Sequence, residues 1–322
     1  MNLSRKFLLS IPLLILSACA TIPDISQSRS PCRMEPGGWC EFVREGAVEA
    51  YPYAIASLQA YVGDSDLYKG DLPNLKMLGD SQVNDEDKRT GFDYRIFELS
   101  ETMSFGWFSP LIPDRTVTKA RIMAFRGTDF DGLTDIFYGT LGNTQINLAL
   151  KYFEIEKEAA PKDGVPWVVA GHSLGGALAT EVSVANPEVR AFMFNTSPFY
   201  GGDAMSNDVQ RTVFNERGEL LRRFAKYKVS PAAEVFTINC GPGNDTFTKH
   251  RIRLLADCLT WIAAYSDKDA FDFVKAQGIE RPMVECRRET SQHPGVGHIE
   301  ILPCVHQTRP EKDESTKGDD NN

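Results

Sequence analysis

The chain has 322 residues, 42% hydrophobic and 25% charged, enough apolar material to bury a full core in one large domain or two small ones. Its net charge is −9, and no stripe of Lys and Arg interrupts that balance. A protein that neutralises phosphate backbones needs such a stripe, so nucleic acid is not an expected partner.

The amino terminus carries Arg5 and Lys6, then a nearly unbroken apolar run from Phe7 to Leu16, then Ser17, Ala18 and Cys19. A basic start, a short apolar stretch and small residues make an export signal, too short to span a bilayer as a mature helix. Removal of residues 1–18 is expected. Leu16-Ser17-Ala18-Cys19 resembles the bacterial lipobox, which implies that Cys19 becomes the acylated first residue and anchors the chain through two or three acyl chains. Ala20 and Thr21 follow in place of an aspartate that would resemble an inner-membrane retention signal, so the outer membrane of the envelope is the expected location. The other six cysteines, Cys32, Cys40, Cys240, Cys258, Cys286 and Cys304, are an even set in an exported chain, which reads as disulfides with their pairing open. None shows the Cys-x-x-Cys spacing of a structural zinc site, and no metal is expected.

Residues 19–45 read as a tether, rich in Ser, Pro and Gly from 20 to about 38, and residues 46–306 as the folded domain. Val48, Tyr51, Ile55, Leu58 and Val62 recur every three or four residues, which predicts an amphipathic helix. After a polar, turn-rich stretch over 63–91, strands are predicted at Phe92–Ser100 and Arg121–Phe125. A helix follows from Ile146 through Ala160, closed by Pro161 and Gly164. Val165–Ala170 is a short β-branched run leading into a helix that ends near Asn186, and Phe192–Phe194 and Val235–Asn239 are further strands. Arg251–Ala264 is a helix, Pro282–Cys286 is strand-like, and the charged tail 307–322 is expected to be disordered. Strands alternating with helices predict an α/β architecture, a central mostly parallel sheet flanked by helices, with functional groups at the carboxyl ends of strands.

Gly171-His172-Ser173-Leu174-Gly175 stands between a predicted strand and a predicted helix. In this Gly-x-Ser-x-Gly elbow the turn is so tight that side chains two before and two after the serine would collide, and Gly171 and Gly175 remove them. A glycine-rich turn of no catalytic use has the same three-residue pattern; the strand before it and the apolar helix face after it favour the elbow. Ser173 is thus the candidate nucleophile. Gly171-His172-Ser173-Leu174-Gly175-Gly176-Ala177, with Phe125-Arg126-Gly127-Thr128 upstream, resembles the class 3, fungal-type lipase family. The resemblance implies an α/β-hydrolase fold, with Thr128 as an oxyanion-hole donor and the Leu174 N–H as the second. Leu133-Thr134-Asp135-Ile136 stands where the family usually has a Trp, a departure that leaves its lid and substrate preference open.

A serine hydroxyl needs a base, oriented by a carboxylate, and in this fold the order is serine, acid, histidine. His172 lies inside the elbow and cannot face the neighbouring hydroxyl, so it is read as a packing or hydrogen-bonding residue. Of the downstream histidines, His298, in a late loop six residues before Cys304, resembles the family's base, and His293 is the alternative. His250, opening the helix 251–264, is expected to meet a helix end or the surface. For the acid, Asp245 in the loop after Val235–Asn239 resembles the family's Asn-Asp pair; Asp203 and Asp257 are weaker candidates. The expected activity is serine-dependent hydrolysis of carboxylic esters without a cofactor, on lipid by the family's habit, at a membrane held through acylated Cys19. Two other readings stay open: a non-catalytic envelope lipoprotein with a hydrolase scaffold, and an esterase or thioesterase of non-lipid substrates.

Overall fold

Seven strands join in one sheet whose spatial order follows the chain: β1 (Leu75–Gly79), β2 (Tyr94–Met103), β3 (Arg115–Phe125), β4 (Trp167–His172), β5 (Arg190–Phe194), β6 (Arg211–Glu216) and β7 (Glu234–Ile238). The computed structural model describes residues 32, 35–61, 67–79, 81–103, 115–127, 140–222, 229–241 and 245–282. β1, β2 and β3 pair antiparallel, and every pairing from β3 to β7 is parallel. A parallel neighbour can be reached only by a crossover. With α1 (Glu41–Gln59) and α2 (Asp85–Lys88) earlier in the chain, α3 (Thr140–Ala159) and α4 (Leu174–Ala185) stand between β3 and β4 and between β4 and β5. α5 (Thr246–His250), α6 (Ile252–Ala263) and α7 (Lys268–Gln277) follow the last strand. This is a mostly parallel sheet flanked by helices, the α/β architecture read from the sequence.

The strands are apolar on both faces because both faces are covered. Phe97, Ile122, Ala170, Phe192 and Phe214 point into one core with α1 and α6, while Met123, Phe125, Val169, Met193 and Val213 point into another with α3 and α4. Tyr53 of α1 stacks on Phe192 with ring centroids 4.2 Å apart, fixing α1 across the middle of the sheet. Truncating a fully buried aromatic such as Phe192 or Phe153 would cost about 3–5 kcal/mol. No described helix is long and apolar enough to cross a membrane.

Several boundaries differ from the sequence reading, each for a physical reason. Trp39 is wholly buried, Cys32 pairs with Cys40, and α1 begins at Glu41, so residues 39–45 belong to the folded body and not to the tether expected there. β1 lies in the stretch read as turns: it is an edge strand that buries only Leu75, and so it has no alternating pattern. β6 was not legible because four of its six residues are polar, yet every residue is buried. Arg211 there donates to the carbonyls of Ala204 and Ser206, both at 2.8 Å, and to that of Pro231. The second disulfide, Cys240–Cys258, joins the end of β7 to α6. Cys19, Cys286, Cys304 and the tail 307–322 lie outside the described residues.

Candidate active site

β4 delivers Ser173 at its carboxyl end, and the chain turns at once into α4. Ser173 adopts φ 56° and ψ −122°, a conformation that costs a non-glycine residue on the order of 1–3 kcal/mol. Four main-chain bonds hold it there: its N–H donates to the Phe194 carbonyl at 3.1 Å, and its own carbonyl accepts from Gly176 at 3.1 Å, Ala177 at 3.4 Å and Ser197 at 2.9 Å. The glycines are required by space as well. A Cβ on Gly171 would fall on the backbone of Gly175, and one on Gly175 would fall on the β3 backbone at Phe125. Leu174 is the first residue of α4, so its N–H is one of those a helix leaves without an intrahelical partner, at the positive end of the helix dipole.

The imidazole facing Ser173 is that of His250. Its Nε2 lies 3.0 Å from Ser173 Oγ, and its Nδ1 lies 2.8 Å from Oε2 of Glu219. All three side chains are buried, Ser173 and His250 each 1% exposed and Glu219 likewise. Glu219 follows β6 through a turn in which Gly218 takes φ 82°. Its Oε2 also accepts from the Leu221 N–H at 2.8 Å, which fixes the carboxylate beneath the ring, while Oε1 has no hydrogen-bond partner among the described residues. A buried carboxylate must accept the proton-bearing nitrogen, so Nδ1 carries the hydrogen and Nε2 is left to accept from the serine hydroxyl. The chain order is serine, acid, histidine, the order expected from the elbow motif.

His250 closes the short helix α5, and its main chain is clamped. Its carbonyl accepts from His172 Nε2 at 2.6 Å and from Asn195 Nδ2 at 3.2 Å. Asn195, just after β5 with φ 42°, also donates to the Lys249 carbonyl at 3.1 Å and accepts the Glu216 N–H at 2.7 Å. His172 Nδ1 meets the Tyr61 hydroxyl at 2.9 Å, and that hydroxyl accepts the Gly127 N–H at 3.1 Å. Burial, with the charge of His250 second, holds His172 well below the ordinary imidazole range, so it is neutral.

A buried ion pair lies next door. Lys249 Nζ is 3.4 Å from Glu216 and donates to the Arg217 carbonyl at 3.0 Å and to Asn239 at 3.2 Å. Glu216 accepts the N–H groups of Cys240 at 2.8 Å and Gly241 at 3.2 Å. Burial nevertheless outweighs these donors and pushes the Glu216 carboxyl up to about 7.

The predicted site residues are thus only partly brought together. Ser173, Leu174, Gly171 and Gly175 form the elbow. Asp245 does not reach an imidazole: it is exposed and caps α5, accepting the Phe247 N–H at 3.0 Å and the Thr248 hydroxyl at 2.5 Å. Asp257, on α6, pairs with Arg253 of the same helix and accepts from the distant Tyr68 hydroxyl, and Asp203 accepts the Met205 N–H in a surface turn. Thr128, His293 and His298 lie outside the described residues. His250, expected at a helix end or the surface, does sit at a helix end but faces inward onto Ser173. Glu219 was missed altogether; the signal that could have found it is the β-branched, apolar centre of Arg211–Glu216 followed by the Arg-Gly turn and a glutamate. No cluster of three or more His, Cys, Asp or Glu able to hold a metal occurs among the described residues.

No family model matches the chain, and no curated protein sequence matches it. Among solved structures, it is similar to a mutant form of MDLA from Penicillium cyclopium, 15% identical, covering 66% of this chain and 86% of that one with a TM-score of 0.39. The Rhizomucor miehei lipase in its propeptide complex is 13% identical over 55% and 62% of the two chains, TM-score 0.33. Lipase II from Rhizopus niveus is 14% identical over 55% and 74%, TM-score 0.31. At that level of similarity the chemistry has to be read from this chain's own side chains.

Proposed function

We propose that this chain is a serine-dependent carboxylic ester hydrolase with Ser173 as nucleophile, His250 as base and Glu219 as the acid that orients it. The observation that carries this reading is the unbroken line from Ser173 Oγ to His250 Nε2 and from Nδ1 to Glu219, at 3.0 and 2.8 Å, at the end of a strand-to-helix elbow. His250 takes the hydroxyl proton as Oγ attacks the ester carbonyl, and Glu219 stabilises the resulting imidazolium without itself being protonated. The Leu174 N–H at the start of α4 supports the developing oxyanion, with Thr128 as its partner by the motif's resemblance. Collapse releases the alcohol, which leaves with the proton from His250, and the acyl group stays on Ser173. Water, deprotonated by His250, then attacks the acyl-enzyme and frees the acid.

The substrate class we propose is a lipid ester. Two sequence features support it: the resemblance of the elbow and the Phe125–Thr128 segment to class 3 lipases, and the lipobox-like Leu16–Cys19, which would tether the domain to the outer membrane. A fluorophosphonate probe tests the nucleophile. The expected result is one covalent adduct on Ser173 and none on Ser173→Ala; absence of labelling in the intact protein would favour the non-catalytic scaffold instead. Triacylglycerol, phospholipid and short p-nitrophenyl esters assayed side by side then define the substrate.

A further inference from the structure

Resting on the Ser173–His250 reading above, we infer that Tyr61 and His172 act as a positioning pair, tying the backbone on the β3 side of the elbow to the backbone of His250. The direction of each bond follows from chemistry. The carbonyl of His250 can only accept, so His172 Nε2, 2.6 Å away, carries the hydrogen. His172 is buried and neutral, so its Nδ1 is bare and accepts from the Tyr61 hydroxyl at 2.9 Å. The Tyr61 oxygen in turn accepts the Gly127 N–H at 3.1 Å. The line therefore reads Gly127 to Tyr61 to His172 to His250, with a single proton arrangement throughout.

Its two ends are the walls around Ser173. Gly127 follows β3 and lies against the elbow: a Cβ placed on it would come within 2.6 Å of the His172 carbonyl oxygen and 3.4 Å of Ser173 Cβ. His250 is the opposite wall. Tyr61, directly after α1, and His172, at the end of β4, come from distant parts of the chain, so neither wall can shift without breaking a bond that the other depends on. Neutrality matters too. The His172 and His250 rings lie 4.8 Å apart between centroids, so a charge on His172 would oppose the imidazolium that His250 must become. Burial keeps the His172 ring uncharged, and its Nε2–H holds the His250 main chain fixed.

The test uses the full chain in detergent micelles with p-nitrophenyl butyrate, and protein carrying 15N-labelled histidine. In the wild type, the imidazole of His172 is expected to be neutral near pH 7 with its hydrogen on Nε2. Tyr61→Phe removes one oxygen and keeps the ring. It should lower kcat about 10- to 100-fold with KM little changed, and shift the 15N resonance of His172 Nδ1 as that nitrogen loses its donor, while the hydrogen stays on Nε2. His172→Gln, whose amide can still donate to the His250 carbonyl, should retain more kcat than His172→Phe. A wild-type His172 that is charged or carries its hydrogen on Nδ1, or a Tyr61→Phe protein that turns over like wild type, would overturn the inference. Should Tyr61→Phe fail to fold, the wild-type tautomer and the Gln-to-Phe comparison decide. Turnover retained by Ser173→Ala would sink the nucleophile reading instead, while the tautomer measurement still judges the Tyr61–His172 line by itself.

Discussion

The carboxylate of Glu219 meets Nδ1 of His250 at 2.8 Å, although 31 residues separate them and neither occupies the loop after β7 in which the acid was expected. That contact fixes which nitrogen of His250 carries the hydrogen, and so which one can accept from Ser173. Glu219→Gln keeps the shape but offers the ring an amide in place of a charge. It should cut kcat by roughly 10⁴-fold, the scale on which a misoriented imidazole fails, while thermal unfolding stays near wild type. Hydrolysis of a short ester, followed against a melting curve, checks both halves.

Asp245 gives the opposite expectation. Its exposed side chain caps α5, and the Thr248 hydroxyl and Phe247 N–H hold its carboxyl below the usual range. Asp245→Ala should lower stability modestly through the lost helix cap, and leave kcat within severalfold of wild type. Urea unfolding and steady-state kinetics on the same sample measure the two effects.

Gly175 is a test of the elbow's geometry. A methyl group there would lie 3.0 Å from the Phe125 carbonyl carbon and 3.1 Å from that of Arg126, and closer still to the Phe125 oxygen, in a strand paired on both sides. Backbone in the middle of a sheet cannot step aside. Gly175→Ala should therefore destabilise the fold by about 1–3 kcal/mol or more and abolish fluorophosphonate labelling, because Ser173 would lose the conformation that aims its hydroxyl at His250.

Glu216 makes stability depend on pH. Its carboxyl is raised from 4.5 to about 7 by burial, so between those values the folded protein binds a proton that the unfolded chain releases. The stability it contributes is whole below about pH 4.5 and is lost as pH rises through about 7. Glu216→Gln cannot titrate. Its penalty relative to wild type should thus be smaller at high pH than at low, which denaturant unfolding at a series of pH values would show.

How much of this was legible in the sequence depends on how local each feature is. The elbow could be read because its constraint is local: a strand, two glycines and a serine, then an apolar helix face. The parallel core could be read from Val165–Ala170 and Phe192–Phe194 because those strands bury both faces. β6 was hidden by Arg211, Thr212, Asn215 and Glu216, polar residues whose partners are distant in sequence. The base and its acid were hidden for the same reason. His250 reads as the start of a surface helix until Asn195 and His172 are seen to clamp its carbonyl, and Glu219 reads as an exposed turn acid until β6 carries it under the imidazole.

The most direct measurement compares two histidine substitutions in the same ester assay. His250→Asn should lower kcat by at least about 10⁴-fold, and His298→Asn should leave it near wild type, with fluorophosphonate still reacting at Ser173 in the latter. The account is contradicted if His250→Asn stays active while His298→Asn is silent.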